Sequence, residues 1–249
     1  MKEIADLVGT SLDQSFYALP EVNLEKLEED ILAGIPFDYQ RGESEFFESR
    51  FYVNQHVLIP RPETELLVEM IVLEQKKENL LIADIGTGSG CIALSLLFKN
   101  PSWKASLIDL SEHALEVAQI NAKNLRLAHR CDFILSDRLQ KVPATFRFDV
   151  IVSNPPYIKE STHRHLVHQS VNSYEPHMAL YLKDDEYKNW FEVLFKQIFS
   201  SLADNGYFYM EGHELELQEQ KKQLELIGFQ SVKVIQDLTG RDRFLKAQK

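Results

Sequence analysis

The chain has 249 residues, 44% hydrophobic and 26% charged, with a net charge of -11; that suits one large domain plus a small one around a substantial core. No apolar run approaches the length that spans a bilayer, and no charged-then-apolar leader opens the chain, so a cytoplasmic protein without a membrane partner is expected. The acidic balance disfavours a protein that grips duplex nucleic acid, which needs lysine and arginine against phosphates. The two cysteines, Cys91 and Cys131, each sit in an apolar segment and read as buried free thiols, not as a disulfide or a metal site.

Residues 1–35 hold eight acids against Lys2 and Lys26. An acidic lobe of this kind suits a basic protein partner; a solvated helix face is the plain alternative. Ala18–Gly34 reads as a helix with Leu24, Leu27, Ile31 and Leu32 on one face and Gly34 as its stop. Phe46-Phe47 and Phe51-Tyr52-Val53 predict a short hairpin. A helix follows from about Glu63 to Gln75, with Leu66, Leu67, Met70 and Ile71 apolar, Pro62 at its start and Glu63 and Glu65 in its first turn. Those two acids either line a cleft or only favour the helix dipole. The expected organisation is a helical recognition part over residues 1–42, a β-hairpin linker over 43–60 and a catalytic domain over 61–249.

From Leu80 onward strands and helices alternate, which predicts a parallel sheet. The helices fall at about Cys91–Phe98, Glu112–Asn124, Glu186–Leu202 and Glu214–Leu226. The late strands fall at Gly206–Glu211, Ser231–Gln236 and Arg243–Lys246. The first strand ends in Asp84-Ile85-Gly86-Thr87-Gly88-Ser89-Gly90 and opens an apolar helix. Glycine lets backbone approach a ligand closely, and a helix start offers unpaired N–H groups to a carboxylate. The spacing differs from the dinucleotide fingerprint by one residue fewer between the last two glycines. A second acid, Asp109, ends the next apolar run 23 residues after Gly86, where it can accept both hydroxyls of a ribose. A third, Asp137, follows Cys131–Ser136. Glycine loop, ribose acid and strand-end Asp137 in this order point to a nucleoside cofactor.

The strand Phe148–Ser153 runs into Asn154-Pro155-Pro156-Tyr157. Two prolines stop both helix and ladder and fix an amide, an unpaired carbonyl and an aromatic face in one place. Those groups suit a planar NH2: two acceptors for its hydrogens and a ring against its face. A proline turn capping a strand is the bland reading. Asp149 reads as a strand-entrance residue. His163, His165, His168 and His177 crowd the next segment; their spacing fits no metal template, and a mobile polar loop over the substrate site is expected.

The order of these motifs resembles class I S-adenosylmethionine-dependent methyltransferases acting on planar amino groups. Gly34–Gly42 with Glu45-Phe46-Phe47, then Ile59-Pro60-Arg61-Pro62-Glu63-Thr64-Glu65, Tyr174-Glu175-Pro176 and Thr239-Gly240-Arg241-Asp242-Arg243 narrow the resemblance to protein-(glutamine-N5) methyltransferases that modify peptide release factors. It covers roughly residues 32–246. It implies an α/β fold with a Rossmann-like seven-stranded sheet, a small N-terminal helical domain and a linking hairpin. The cofactor implied is S-adenosyl-L-methionine, bound by Asp84, Gly86, Thr87, Gly88, Ser89, Gly90, Asp109, Asp137, Arg138 and Asn154. Gly86, Gly88 and Gly90 cradle its methionine end, and Asp109 takes the ribose. Asn154, Pro155, Pro156 and Tyr157 form the catalytic turn.

The resemblance further implies a release factor as protein substrate, with the glutamine of its Gly-Gly-Gln loop as target; the sequence leaves the oligomeric state open, with a monomer the expectation. Ribosomal-protein glutamine methyltransferases and nucleic-acid amino methyltransferases on adenine N6 or guanine N2 are the alternatives. The chain departs from the family in two places. Only some 35 residues precede Pro36, so the usual helical bundle is shortened or partly missing. Arg138 stands where the family often has an apolar or aromatic residue against adenine; it either stacks on the base or serves the surface. An amide nitrogen is a poor nucleophile, but the sulfonium methyl is already activated. Positioning then supplies several kcal/mol, and neither a histidine base nor a metal is expected.

Overall fold

A computed structural model describes residues 32–249. The helix expected over Ala18–Gly34 and the acidic stretch lie outside these residues but for their last positions. Residues 35–249 form one compact unit.

The unit opens on a short helix α1 (Phe37–Arg41), closed by Gly42 at φ 69°. The hairpin β1 (Glu43–Phe46) and β2 (Ser49–Tyr52) follows. Phe46 and Phe51 are buried edge to face at 6.1 Å between ring centroids, in the same core as Leu67 and Ile71. The hairpin is thus part of the catalytic core. Helix α2 (Pro62–Glu74) places proline in its first turn, where no N–H is missed. It buries Thr64, Leu67, Val68 and Ile71.

Strands and helices then alternate as expected: β3 (Leu81–Ile85), α3 (Cys91–Lys99), β4 (Lys104–Asp109), α4 (Glu112–Asn124), β5 (Cys131–Leu135) and β6 (Phe148–Ser153). The segment read as a mobile polar loop is built instead from β7 (Ile158–Lys159), α5 (Gln169–Tyr174), α6 (His177–Leu180) and β8 (Tyr181–Leu182), with β7 and β8 paired in parallel. The chain closes with α7 (Asp184–Ser201), β9 (Leu202–Glu211), α8 (Leu217–Ile227), β10 (Gln230–Gln236) and β11 (Asp242–Gln248).

The main sheet has seven strands in the order β10-β11-β9-β6-β3-β4-β5. All neighbours from β9 to β5 are parallel, and β11 runs antiparallel between β9 and β10. Alternate strand residues face opposite sides. Ile82, Leu107, Val150 and Val152 join α2, α3 and α4 in one core; Ala83, Ile85, Ile108 and Ile151 join α7 and α8 in the other. Both faces are covered, which explains why the inner strands read as unbroken apolar runs. This is the expected α/β architecture. Ligands of such sheets bind beyond the carboxyl ends of the parallel strands.

Candidate active site

The carboxyl ends of β6, β3, β4 and β5 line one cavity of about 320 Å³, within the range of small-ligand sites. β3 contributes the glycine loop, β4 Asp109, β5 Ser136 to Arg138, and β6 Asn154, Pro155 and Pro156. A second cavity of about 180 Å³ also borders the proline turn, with Tyr157 on its wall. Leu58, Arg61, Asn154, Pro155 and Ala179 line both.

The glycine loop is fixed from behind. Gly86 and Thr87 donate backbone N–H bonds to Ile108 O at 2.8 and 3.0 Å. Gly90 caps α3 at φ 81°, and a Cβ there would sit 3.0 Å from Leu94 and 3.2 Å from Leu107, so only glycine fits. At Gly88 a Cβ would meet nothing within 4 Å, leaving bare backbone on the cavity wall.

Asp84 is placed differently from the expectation. It is fully buried and does not line the cavity. Its Oδ2 accepts from Thr87 Oγ1 at 2.7 Å and from Ala93 N at 3.3 Å, while Oδ1 has no hydrogen-bond partner. Gly90 has no side chain to cap α3, so the carboxylate of β3 takes a first-turn N–H instead. Burial, partly offset by those two bonds, pushes the Asp84 carboxyl up to about 7. Its folded value thus exceeds the ordinary value of about 4. The stability it contributes is present below that ordinary value and is lost as pH rises through about 7. Asp84→Asn keeps an acceptor for Thr87 and Ala93 but cannot titrate. Thermal unfolding from about pH 5 to about pH 8 then shows a shallower decline than in the parent chain; parallel profiles would contradict this.

Asp109 ends β4 on the cavity wall. Its Oδ2 accepts from Gly88 N and its Oδ1 from Ser111 N, both at 2.9 Å. Burial raises its carboxyl against these bonds. A carboxylate has about four lone-pair sites, so each oxygen can take a further donor. Asp137 is engaged by its own neighbour: Arg138 Nε and Nη2 reach its two oxygens at 2.9 and 2.8 Å, and Gln140 Nε2 adds a third bond at 2.8 Å. Arg138 adopts φ 51° to fold back this way, and its guanidinium lies 5.3 Å over the Trp190 ring. Its side chain is only 13% exposed, so the surface reading of Arg138 does not hold.

The proline turn is anchored from both sides. Ser153 Oγ donates to Ile85 O at 2.7 Å. Asn154 Nδ2 donates to Thr64 Oγ1 at 3.3 Å, Thr64 Oγ1 donates to Glu211 Oε2 at 2.5 Å, and Tyr157 OH donates to Glu211 Oε1 at 3.0 Å. Glu63 is exposed, and Glu65 accepts from Phe47 N at 3.1 Å, pinning the hairpin to α2. The cleft residue of this helix start is the threonine between them. Glu175 is buried; it accepts from Arg61 Nη2 at 2.6 Å and from Ile59 N at 3.2 Å, joining two stretches that carried the resemblance.

Residues 62–207 match the methyltransferase small domain family. A release factor glutamine methyltransferase of Flavobacterium psychrophilum is 40% identical over 217 residues, 85% of this chain and 74% of the relative. One of Enterococcus faecalis is 35% identical over 233 residues, 92% and 83% of the two chains. This chain belongs to the release factor glutamine methyltransferase family. A methyltransferase of Pyrococcus furiosus shares the fold at TM-score 0.58 and 17% identity, over 91% of this chain and 96% of that one. A ribosomal protein L11 methylase of Lactobacillus delbrueckii does so at TM-score 0.55 and 19% identity, over 79% and 82%.

Members of a release factor glutamine methyltransferase family use S-adenosylmethionine, and the first cavity fits it: bare glycine backbone, a strand-end carboxylate with spare acceptors, and a volume suited to a nucleoside. Sequence reasoning missed Thr64, Trp190 and Glu211. Glu211 carried the signal used for Asp84 and Asp109, an acid ending an apolar strand. Thr64 lay inside a quoted motif, and Trp190 had no local signal. The four histidines separate. His163 is buried and stacks on His213 at 4.2 Å, while His165, His168 and His177 are exposed. Among the described residues no three His, Cys, Asp or Glu side chains converge as metal ligands. Both cysteines are free and half-buried, and burial pushes each thiol up to about 12. Asp149 accepts from Leu81 N and pairs with Lys77 at the strand entrance.

Proposed function

We propose that this enzyme transfers the methyl group of S-adenosylmethionine to the side-chain amide nitrogen of the glutamine in the Gly-Gly-Gln loop of class 1 release factors. The observation that carries this is the pair of cavities meeting at Asn154 and Pro155, in a chain 40% identical to a release factor glutamine methyltransferase. S-adenosylmethionine, held by the glycine loop, Asp109, Asp137 and Arg138, supplies an activated sulfonium methyl. The second cavity takes the glutamine side chain. Asn154 Oδ1 and the Pro155 carbonyl accept the two amide hydrogens, orient the nitrogen and stabilise the positive charge that grows on it. The Tyr157 ring lies on the second cavity's wall to pack on the amide plane. The displaced proton leaves the nitrogen after transfer, so no base of matched pKa is required.

The enzyme works without a nucleic-acid partner, a reading that the net charge of -11 supports. Among the described residues no helix is long and apolar enough to cross a membrane. The test is transfer of labelled methyl to purified, unmethylated release factor beside a version with the loop glutamine changed to alanine. Label on the first alone is the expected result. Label on both, or on ribosomal protein or RNA in place of the factor, would overturn the substrate assignment.

A further inference from the structure

The Asn154 amide must present its oxygen, not its nitrogen, to a target NH2, and nothing in the proline turn itself decides which. We propose that Thr64 and Glu211 are positioning residues that form a one-way hydrogen-bond relay fixing Asn154 with Oδ1 toward the target. The proposal rests on the reading of Asn154 as the amide clamp and adds the groups that aim it.

The direction follows from counting hydrogens. An ionised carboxylate only accepts, and a hydroxyl has one hydrogen. The 2.5 Å separation of Thr64 Oγ1 and Glu211 Oε2 is that of a charge-assisted O–H to carboxylate bond. The hydroxyl hydrogen is therefore committed to Glu211. Toward Asn154, at 3.3 Å, the Thr64 oxygen can only accept, so the group facing it is the NH2. Oδ1 is left with no hydrogen bond among the described residues, on a residue that lines both cavities. The other oxygen of Glu211 takes the Tyr157 hydroxyl at 3.0 Å, so one buried carboxylate holds two members of the clamp. The fold makes this possible. β6 and β9 pair in parallel up to Ser153 and Met210, so Asn154 and Glu211 leave adjacent strand ends together, and Thr64 closes over them from the first turn of α2.

The relay depends on charge. Burial raises the Glu211 carboxyl above its usual range, against the bonds from Thr64 and Tyr157. The charged groups facing it are Arg243 on β11, which lowers it, and Glu63 on α2, which raises it; the half-buried Cys91 thiol of α3 also senses it. Once protonated, Glu211 can donate, Thr64 is no longer committed, and the Asn154 amide loses its orientation. Turnover falls as pH drops through that raised value.

The experiment uses the full chain with release factor and S-adenosylmethionine. Thr64→Val keeps the shape and removes the hydroxyl; kcat drops about 10- to 100-fold, the worth of a hydrogen bond to a charged group, with cofactor affinity near parental and a lowered unfolding temperature, because buried Glu211 loses a donor. Thr64→Ser recovers most of the kcat lost in Thr64→Val. In Glu211→Gln the carboxamide NH2 must face Thr64 or Tyr157 and reverses one of them; kcat falls similarly and its acid limb disappears. Parental kcat in Thr64→Val would overturn the relay, as would a Thr64→Ser no better than Thr64→Val or an acid limb that survives in Glu211→Gln. If Asn154→Ala also kept parental turnover, the clamp reading itself would fall; loss there with a normal Thr64→Val would remove the relay alone.

Discussion

Replacing Asn154 with alanine lowers kcat by about 10²- to 10³-fold, the effect of removing one preorganised polar group aimed at developing charge. Affinity for S-adenosylmethionine stays close to that of the parent chain. The residue lines both cavities, and its amide is tied through Thr64 to buried Glu211. Truncation removes an acceptor for the target NH2 and leaves the glycine loop and Asp109 untouched. Pro155 still offers its carbonyl, which accounts for residual turnover. Single-turnover methyl transfer and calorimetric cofactor titration separate the two quantities. A loss of cofactor affinity as large as the loss of kcat would contradict this division of roles.

Asp109→Ala has the opposite signature. Each carboxylate oxygen holds one backbone N–H, of Gly88 or Ser111, and has a further acceptor site for a ribose hydroxyl. Losing two hydrogen bonds to a charged acceptor, at about 1.5–3 kcal/mol each, raises the cofactor Kd by at least about 10²-fold. The loop also loses the acceptor that holds Gly88. Asp109→Asn is expected to fare little better, because its NH2 must point at one of two backbone donors. Turnover at saturating cofactor is affected much less than Kd. A normal Kd in Asp109→Ala, measured by the same titration, would remove this residue from the cofactor site.

The fold was legible because its inner strands are buried on both faces and its turns carry glycine, aspartate or paired prolines. Such signals are local, and β3, β4 and β6 fall where they place them. The segment from Ile158 to Leu182 was not legible: its helices are four to six residues long and its ladder two residues per strand, too short for any periodicity. The lining of the candidate site was legible where its residues lie in one stretch, as in the proline turn and the glycine loop. It was hidden where partners meet across the sheet. Asp84 carries the motif's acid yet serves behind the loop as a helix cap, because burial left it no route to the cavity. Trp190 reaches the first cavity from the middle of α7, and only the packing of that helix brings it beside Arg138.

The proposed clamp at the proline turn takes a planar NH2, whose two hydrogens it accepts. The most direct test is to treat unmethylated release factor with the enzyme and S-adenosylmethionine and map the product by fragmentation mass spectrometry. One added methyl on the side-chain amide of the Gly-Gly-Gln glutamine, lost with Asn154→Ala, is the predicted result. A methyl on any other residue of the factor, or none while ribosomal protein or RNA is modified, would contradict it.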